Sequence, residues 1–291
     1  MKLSVIVTTW KCEPWIDACR VSIREAVSAC PAEVEVIEVC NGGGVSVARN
    51  EGIRLATGDW FVFVDGDDVV DSMFFSDVAR LAESADLLVF RIALFWENGD
   101  LRKSGLRRPF PGLWQACAFR RDVLPADGFP AFPFGEDKVF LLQCLLRAKH
   151  VIDVDRLAYG YRQHADSTVW RKPTLERFLS RRDYACQWLS LSRELNVDGP
   201  FVTRRMMREA RREIARDALG SLAIELFKVV PNPWSEWLEG LDRLAEQADL
   251  LPVVARIQLF VCRVWRRRWV TRLVVEFPHR MGEKVRRALF T

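Results

Sequence analysis

No apolar run in this 291-residue chain reaches the ~18 residues that a membrane-spanning helix needs, so no transmembrane helix is predicted. The eight cysteines (Cys12, Cys19, Cys30, Cys40, Cys117, Cys144, Cys186 and Cys262) contain no CxxC pair and no zinc-like spacing. Because the apolar segment in "MKLSVIVTTWK" is too short for a secretory leader, these thiols are expected to be reduced in a cytosolic protein. Internal repeats and low-complexity tracts are missing as well. An excess of one charge is also lacking: 43 Lys and Arg against 39 Asp and Glu leave a net +4, which demands neither nucleic acid nor a membrane. The charge is unevenly laid, however, with a strongly basic last stretch and the acidic motifs in the first half.

What the chain does have is core-forming material. A hydrophobic share of 49% supports one large domain or two smaller ones. "LSVIVTT" opens as a short β-branched strand. In "EPWIDACRVSIREAVSA", Pro14 suits the first turn of a helix whose Ile16, Cys19, Ile23 and Val27 recur at helical spacing. "VEVIEV" is a second strand, "SVARNEGIRLA" a second helix and "GDWFVFVDGDD" a third strand. That alternation predicts an α/β fold with a largely parallel sheet covered by helices on both faces. "DSMFFSDVARLAESA" reads as a helix capped near Asp71 or Ser72, "DLLVFRIALFW" as a strand, and "ENGD" as a turn that closes a hairpin. "KVFLLQCLLRA" is helical and "VIDVD" strand-like; from about Leu175 Arg-rich helical patterns dominate, which places a boundary near residue 170.

The stretch "WFVFVDGDDVV" drives a buried strand into Asp65, Asp67 and Asp68. Carboxylates so crowded repel one another unless a cation or hydrogen-bond donors balance them, and strand ends are where α/β proteins place their chemistry. A divalent metal is one reading; an ordinary acidic turn is the other.

Five patterns in order decide between them. "SVIVTTWKCEPWI", "GVSVARNEGIRLATGDWFVFVDGDD", "WQACAFRRDVL", "GEDKVF" and "YGYRQHADST" together resemble the inverting family 2 glycosyltransferases of the GT-A fold, over residues 1–170. The resemblance implies a GT-A domain with a Rossmann-like sheet at 1–170, followed by a basic helical region at 171–291. It implies transfer of a sugar from a nucleotide donor, a UDP-sugar by preference, to a hydroxyl of a glycan or lipid-linked glycan. By that resemblance Asp67 holds Mg²⁺ or Mn²⁺, Asp65 faces the ribose or donor sugar, and Asp137 is the base. Thr8, Trp10 and Asn41 line the nucleotide site. Arg162 and His164 approach the diphosphate or metal, Glu136 supports its loop or contacts the acceptor, and Arg49 braces the site.

The chain departs from the family at three points. Lys11 replaces an Asn, "CNGG" with Cys40 replaces a carboxylate loop, and about twenty residues are missing between that loop and "GVSVARN". The sheet is therefore expected to be a strand smaller than usual. Two other functions fit parts of the sequence: a non-catalytic nucleotide- or glycan-binding adaptor on the same scaffold, and a haloacid-dehalogenase-like phosphatase with Asp65 as nucleophile. The C-terminal "RIQLFVCRVWRRRWVTRLVVEFPHRMGEKVRRALF" is read as basic helices that meet an anionic membrane at the cytoplasmic face, or that pack on the catalytic domain by their apolar side. Nucleic acid is not expected, since no binding motif accompanies the charge.

Overall fold

The computed structural model describes residues 1–96, 101–107, 114–164, 175–196, 201–216, 239, 242–246 and 249. The turn "ENGD" and the basic stretch from Arg256 onward lie outside these residues. By compactness the chain forms two units, Met1–Ala131 with Glu136–Trp170, and Phe132–Gly135 with Arg171–Thr291.

In the first unit, β1 (Lys2–Thr8), β2 (Glu33–Val39) and β3 (Trp60–Asp65) are joined through α1 (Ile16–Ala29) and α2 (Val45–Leu55). The chain continues through β4 (Val69–Val70), α3 (Phe74–Leu81), β5 (Leu87–Trp96), β6 (Leu101–Arg107), β7 (Cys117–Arg120), α4 (Glu136–Arg147) and β8 (Val151–Gln163). The sheet runs β2-β1-β3-β7-β5-β8-β4, and β6 pairs with β5. Strand β1 is parallel to both β2 and β3, as the alternation of elements predicts. Beyond β3 the parallel expectation holds only in part: β5 and β8 are parallel, but β7 runs antiparallel to β3 and β5, and β4 antiparallel to β8. The sheet is mixed: β6 pairs antiparallel with the later part of β5, and β7 runs in the same direction as β6 along the earlier part. Strand β2 ends the sheet, with β1 as its partner.

Side-chain alternation along β3 divides the core. Trp60, Val62 and Val64 join Leu3, Val5 and Val7 of β1 against Cys19, Ile23 and Ala26 of α1 and Phe74, Phe75 and Val78 of α3. Phe61 and Phe63 point the other way. There Phe63 packs edge-on against Phe119, Phe129 and Phe140 of α4 and tilted against Trp114. Helix α2 approaches β1 on this face through Gly52, where a Cβ would stand 2.3 Å from Ile6 Cγ2.

Two helix starts differ from the expectation. Helix α1 begins at Ile16 after a turn that holds Pro14, and the N-cap of α3 is Met73. Asp71 instead accepts from the Met73 N–H at 2.9 Å, an Asx turn that competes with direct capping. Strand β8 is far longer than "VIDVD" suggests, because β5 and β4 both pair with its later part. The second unit holds α5 (Leu175–Leu191) and α6 (Arg204–Arg216); on α6, Met207, Ala210 and Ile214 are buried while Arg204, Arg205, Arg208 and Arg212 are exposed.

Candidate active site

Alternation places Asp65 two residues beyond Phe63 on the same face of β3, the face of α2 and α4. Its neighbour across the ladder is Thr8, and Thr8 Oγ1 donates to Asp65 Oδ1 at 3.0 Å. Arg49, from α2, donates from Nη2 to the same oxygen at 2.9 Å. Asp65 Oδ2 has no hydrogen-bond partner among the described residues.

Past the strand the chain must turn in little space. At Gly66 a Cβ would meet Cys12 Sγ at 2.7 Å and the Thr8 carbonyl oxygen at 2.8 Å, so only glycine lets this turn lie against the loop after β1. Asp67 and Asp68 follow, then β4, which pairs Val70 with Tyr159 and Val69 with Gly160. That short pairing carries the end of β8 to the acids. Tyr159 Oη accepts from the Asp65 N–H at 3.1 Å and donates to Asp68 Oδ2 at 2.7 Å. The Arg162 N–H donates to Asp68 Oδ1 at 2.7 Å, and Arg162 Nε donates to the Asp67 carbonyl at 2.7 Å. His164 Nε2 lies 2.9 Å from Asp67 Oδ2.

These contacts separate the three acids. Asp68 is buried with both oxygens bonded, so it anchors β8, and burial together with its acid neighbours holds its pKa well above the ordinary range. Asp67 is also pushed up, first by burial and then by the charge of Asp65, while His164 pulls it down. His164 is buried, its ring tilted against Trp15 at 4.0 Å between centroids, and its Nδ1 has no hydrogen-bond partner among the described residues. The Arg162 guanidinium lies 4.5 Å from the Phe95 ring and forms no ion pair among the described residues.

At the start of α4 stand two more acids, where unpaired N–H groups favour negative charge. Glu136 Oε1 accepts from Arg49 Nη1 at 2.9 Å. Asp137 is half-buried, and its Oδ1 accepts from the Lys138 N–H at 2.8 Å. Burial pushes both carboxyls up; the charge of Asp137 adds to this at Glu136, against the opposing pull of Arg49. Asp137 is within electrostatic range of Asp65 and Arg49, so the two acid motifs belong to one cluster.

The remaining nucleotide-site expectations lie at the loops after β1 and β2. Trp10 is 54% exposed, and its indole lies over Gly42, where a Cβ would meet Cη2 at 3.1 Å. Asn41 Oδ1 accepts from the Gly43 N–H at 2.8 Å while Nδ2 donates to Glu51 at 3.0 Å, so its amide is oriented by its own loop. Cys40 is exposed, and the cysteines among the described residues are free thiols. The residues that sequence reasoning passed over are Trp15, Trp114 and Tyr159. Tyr159 stands within "YGYRQHADST", Trp15 within "SVIVTTWKCEPWI" and Trp114 within "WQACAFRRDVL", but those motifs by themselves give none of these three side chains a role.

Among the described residues no three His, Cys, Asp or Glu side chains converge as a complete metal cage, and no helix is long and apolar enough to cross a membrane. Asp67 and His164 do present one oxygen and one nitrogen donor side by side. That set suits a divalent cation whose other ligands come from a bound diphosphate.

Comparison with known proteins gives concordant results. Residues 21–130 match the family model described as Glycosyl transferase family 2. An uncharacterized glycosyltransferase of Bacillus subtilis, EpsJ, is 26% identical over 233 residues, which span 62% of this chain and 67% of that protein. The crystal structure of S. aureus TarS 1-349 in complex with UDP-GlcNAc superposes with a TM-score of 0.66 at 17% identity, covering 97% of this chain and 92% of that one. The UDP complex of the same protein gives 0.63 with the same coverage. The fold is thus that of the GT-A glycosyltransferases.

Proposed function

We propose that this chain, whose residues 21–130 match the family 2 glycosyltransferase model, transfers a sugar, with inversion, from a nucleotide donor to a hydroxyl of a glycan or lipid-linked glycan. The observation that carries this reading is the meeting of the two acid motifs: one buried guanidinium reaches Asp65 at the end of β3 and Glu136 at the start of α4, each at 2.9 Å. A donor-side carboxylate and a candidate base are thereby held on one side of the sheet.

In this reading Asp137 takes the proton of the acceptor hydroxyl as its oxygen bonds to the anomeric carbon and the bond to the diphosphate oxygen breaks. Inversion follows from attack opposite the leaving group. Asp65 offers its free Oδ2 to a ribose or sugar hydroxyl. Arg162, without an ion-pair partner among the described residues, is available to the diphosphate. Asp67 and His164 would hold Mg²⁺ or Mn²⁺, which when bound neutralises charge on the leaving diphosphate. Trp10 presents an exposed ring for the base, and Thr8 and Asn41 border it. The UDP and UDP-GlcNAc bound by TarS favour a UDP-sugar here. The relationship to EpsJ is compatible with a role in polysaccharide biosynthesis. The peripheral membrane position stays with this proposal and rests on the basic composition of the C-terminal stretch alone.

The test is a panel of UDP- and GDP-sugars with Mn²⁺, scored by thermal shift and by nucleotide release. A bound donor raises Tm by mass action. The expected result is stabilisation by UDP-sugars and metal-dependent release of UDP that Asp67→Ala abolishes. Turnover that persists without metal sinks the metal assignment. Binding without any release or transfer points to the adaptor, and an aspartyl-phosphate trapped on Asp65 to the phosphatase.

A further inference from the structure

Two adjacent carboxylates at the start of α4 pose a question of selection, because only one can be the base. Arg49 is where the two environments diverge. Its side chain is 4% exposed, and its guanidinium lies 4.4 Å from the centre of the Trp114 ring and 5.2 Å from that of Phe129. Nη1 is given to Glu136 and Nη2 to Asp65, while the buried Nε has no partner. The fork is therefore committed to the two carboxylates, and the aromatic rings fix its plane.

We infer that Arg49 is a positioning residue that assigns the base: by binding Glu136 and Asp65 together, it leaves Asp137 as the carboxylate of α4 that meets the acceptor. The inference rests on the glycosyltransferase reading above and deepens it. No hydrogen bond or ion pair from a cationic side chain to Asp137 is formed among the described residues, although Lys138 and Arg49 lie in electrostatic range; its hydrogen bond comes from the Lys138 N–H. Glu136 is buried with Oε1 committed to the guanidinium, whereas Asp137 is half-buried, so it is geometry that takes Glu136 out of competition for the acceptor. The same guanidinium shares Asp65 Oδ1 with Thr8, which leaves Oδ2 for the donor. One buried cation thus sets both the donor-side acid and the helix that carries the base. Arg49 is too deeply enclosed to require substrate contact for this role. Lysine would not reproduce it, since an ammonium lacks the planar fork that spans two carboxylates.

The experiment compares wild type, Arg49→Lys, Glu136→Gln and the double variant. Each is assayed for kcat and KM with the UDP-sugar that the panel selects, and for UDP affinity and Tm. The expected result is a fall in kcat of about 30-fold or more for Arg49→Lys, with UDP affinity within about 3-fold of wild type. Glu136→Gln is expected to cost less, and the double variant no more than Arg49→Lys alone, because both act through one contact. Full kcat in Arg49→Lys overturns the inference, as does a double variant equal to the product of the singles, even if Tm falls. A wild type that releases nucleotide from no donor overturns the functional reading itself, and the inference with it.

Discussion

His164 Nε2 stands 2.9 Å from Asp67 Oδ2, although 97 residues separate them. The pairing of β4 with β8 creates this contact, and it supplies a nitrogen donor beside an oxygen donor at the end of β3. Removing either group is expected to lower metal-dependent UDP release by about 100-fold or more, the scale typical of losing one electrostatic stabiliser. EDTA should abolish release, and added Mn²⁺ should restore it in wild type but not in Asp67→Ala. Titration with Mn²⁺ checks this directly, and equal apparent metal affinity in the wild type and His164→Ala would count against the pair.

Asp137→Asn should lower kcat by about 10²–10⁴-fold while UDP still binds, as expected for a lost general base. The pH profile supplies the sign. Burial raises the Asp137 pKa above its ordinary 3.8, and a base must be ionised to act. The acid limb of kcat/KM is therefore expected above that value, with activity increasing as pH rises through it. A limb at or below the ordinary value would speak against Asp137.

Tyr159 connects the two ends of the acid turn through one hydroxyl. Tyr159→Phe removes a donor to the buried Asp68 and an acceptor for the Asp65 N–H, and is expected to destabilise the fold by about 1–3 kcal/mol. Urea denaturation measures this.

Glu35 tests electrostatics at the far end of the strands. Burial tends to raise its pKa, but hydrogen bonds from Ser4, from the Thr57 N–H and hydroxyl, and from Lys2 prevail and hold it down to about 2, against an ordinary 4.5. Its contribution to stability is complete above 4.5 and is lost as pH falls toward 2. The wild type should therefore lose Tm more steeply than Glu35→Gln across that interval, and parallel melting curves would contradict the assignment.

Much of the site was legible because its residues are local. Asp65, Gly66, Asp67 and Asp68 form one turn, and "GED" starts one helix, so residue type and position carried the expectation of acid chemistry. The role of Asp68 was not legible, since a carboxylate bonded by Tyr159 and Arg162 looks the same in sequence as one facing solvent. Nor was β7 legible as a strand, because a four-residue apolar run carries too little periodicity to mark one, and its direction is not a property of composition.

What the sequence determined by itself was the first three strands with the helices between them, the strand that carries Asp65, and the acid-rich turn at its end. Tertiary structure alone decided the partnerships: which carboxylate takes Arg49, which ring lies under it, and that His164 meets Asp67. The physical reason is range. Strand and helix periodicity act over a few residues, whereas a buried arginine meets its acids only after packing has closed the chain between them.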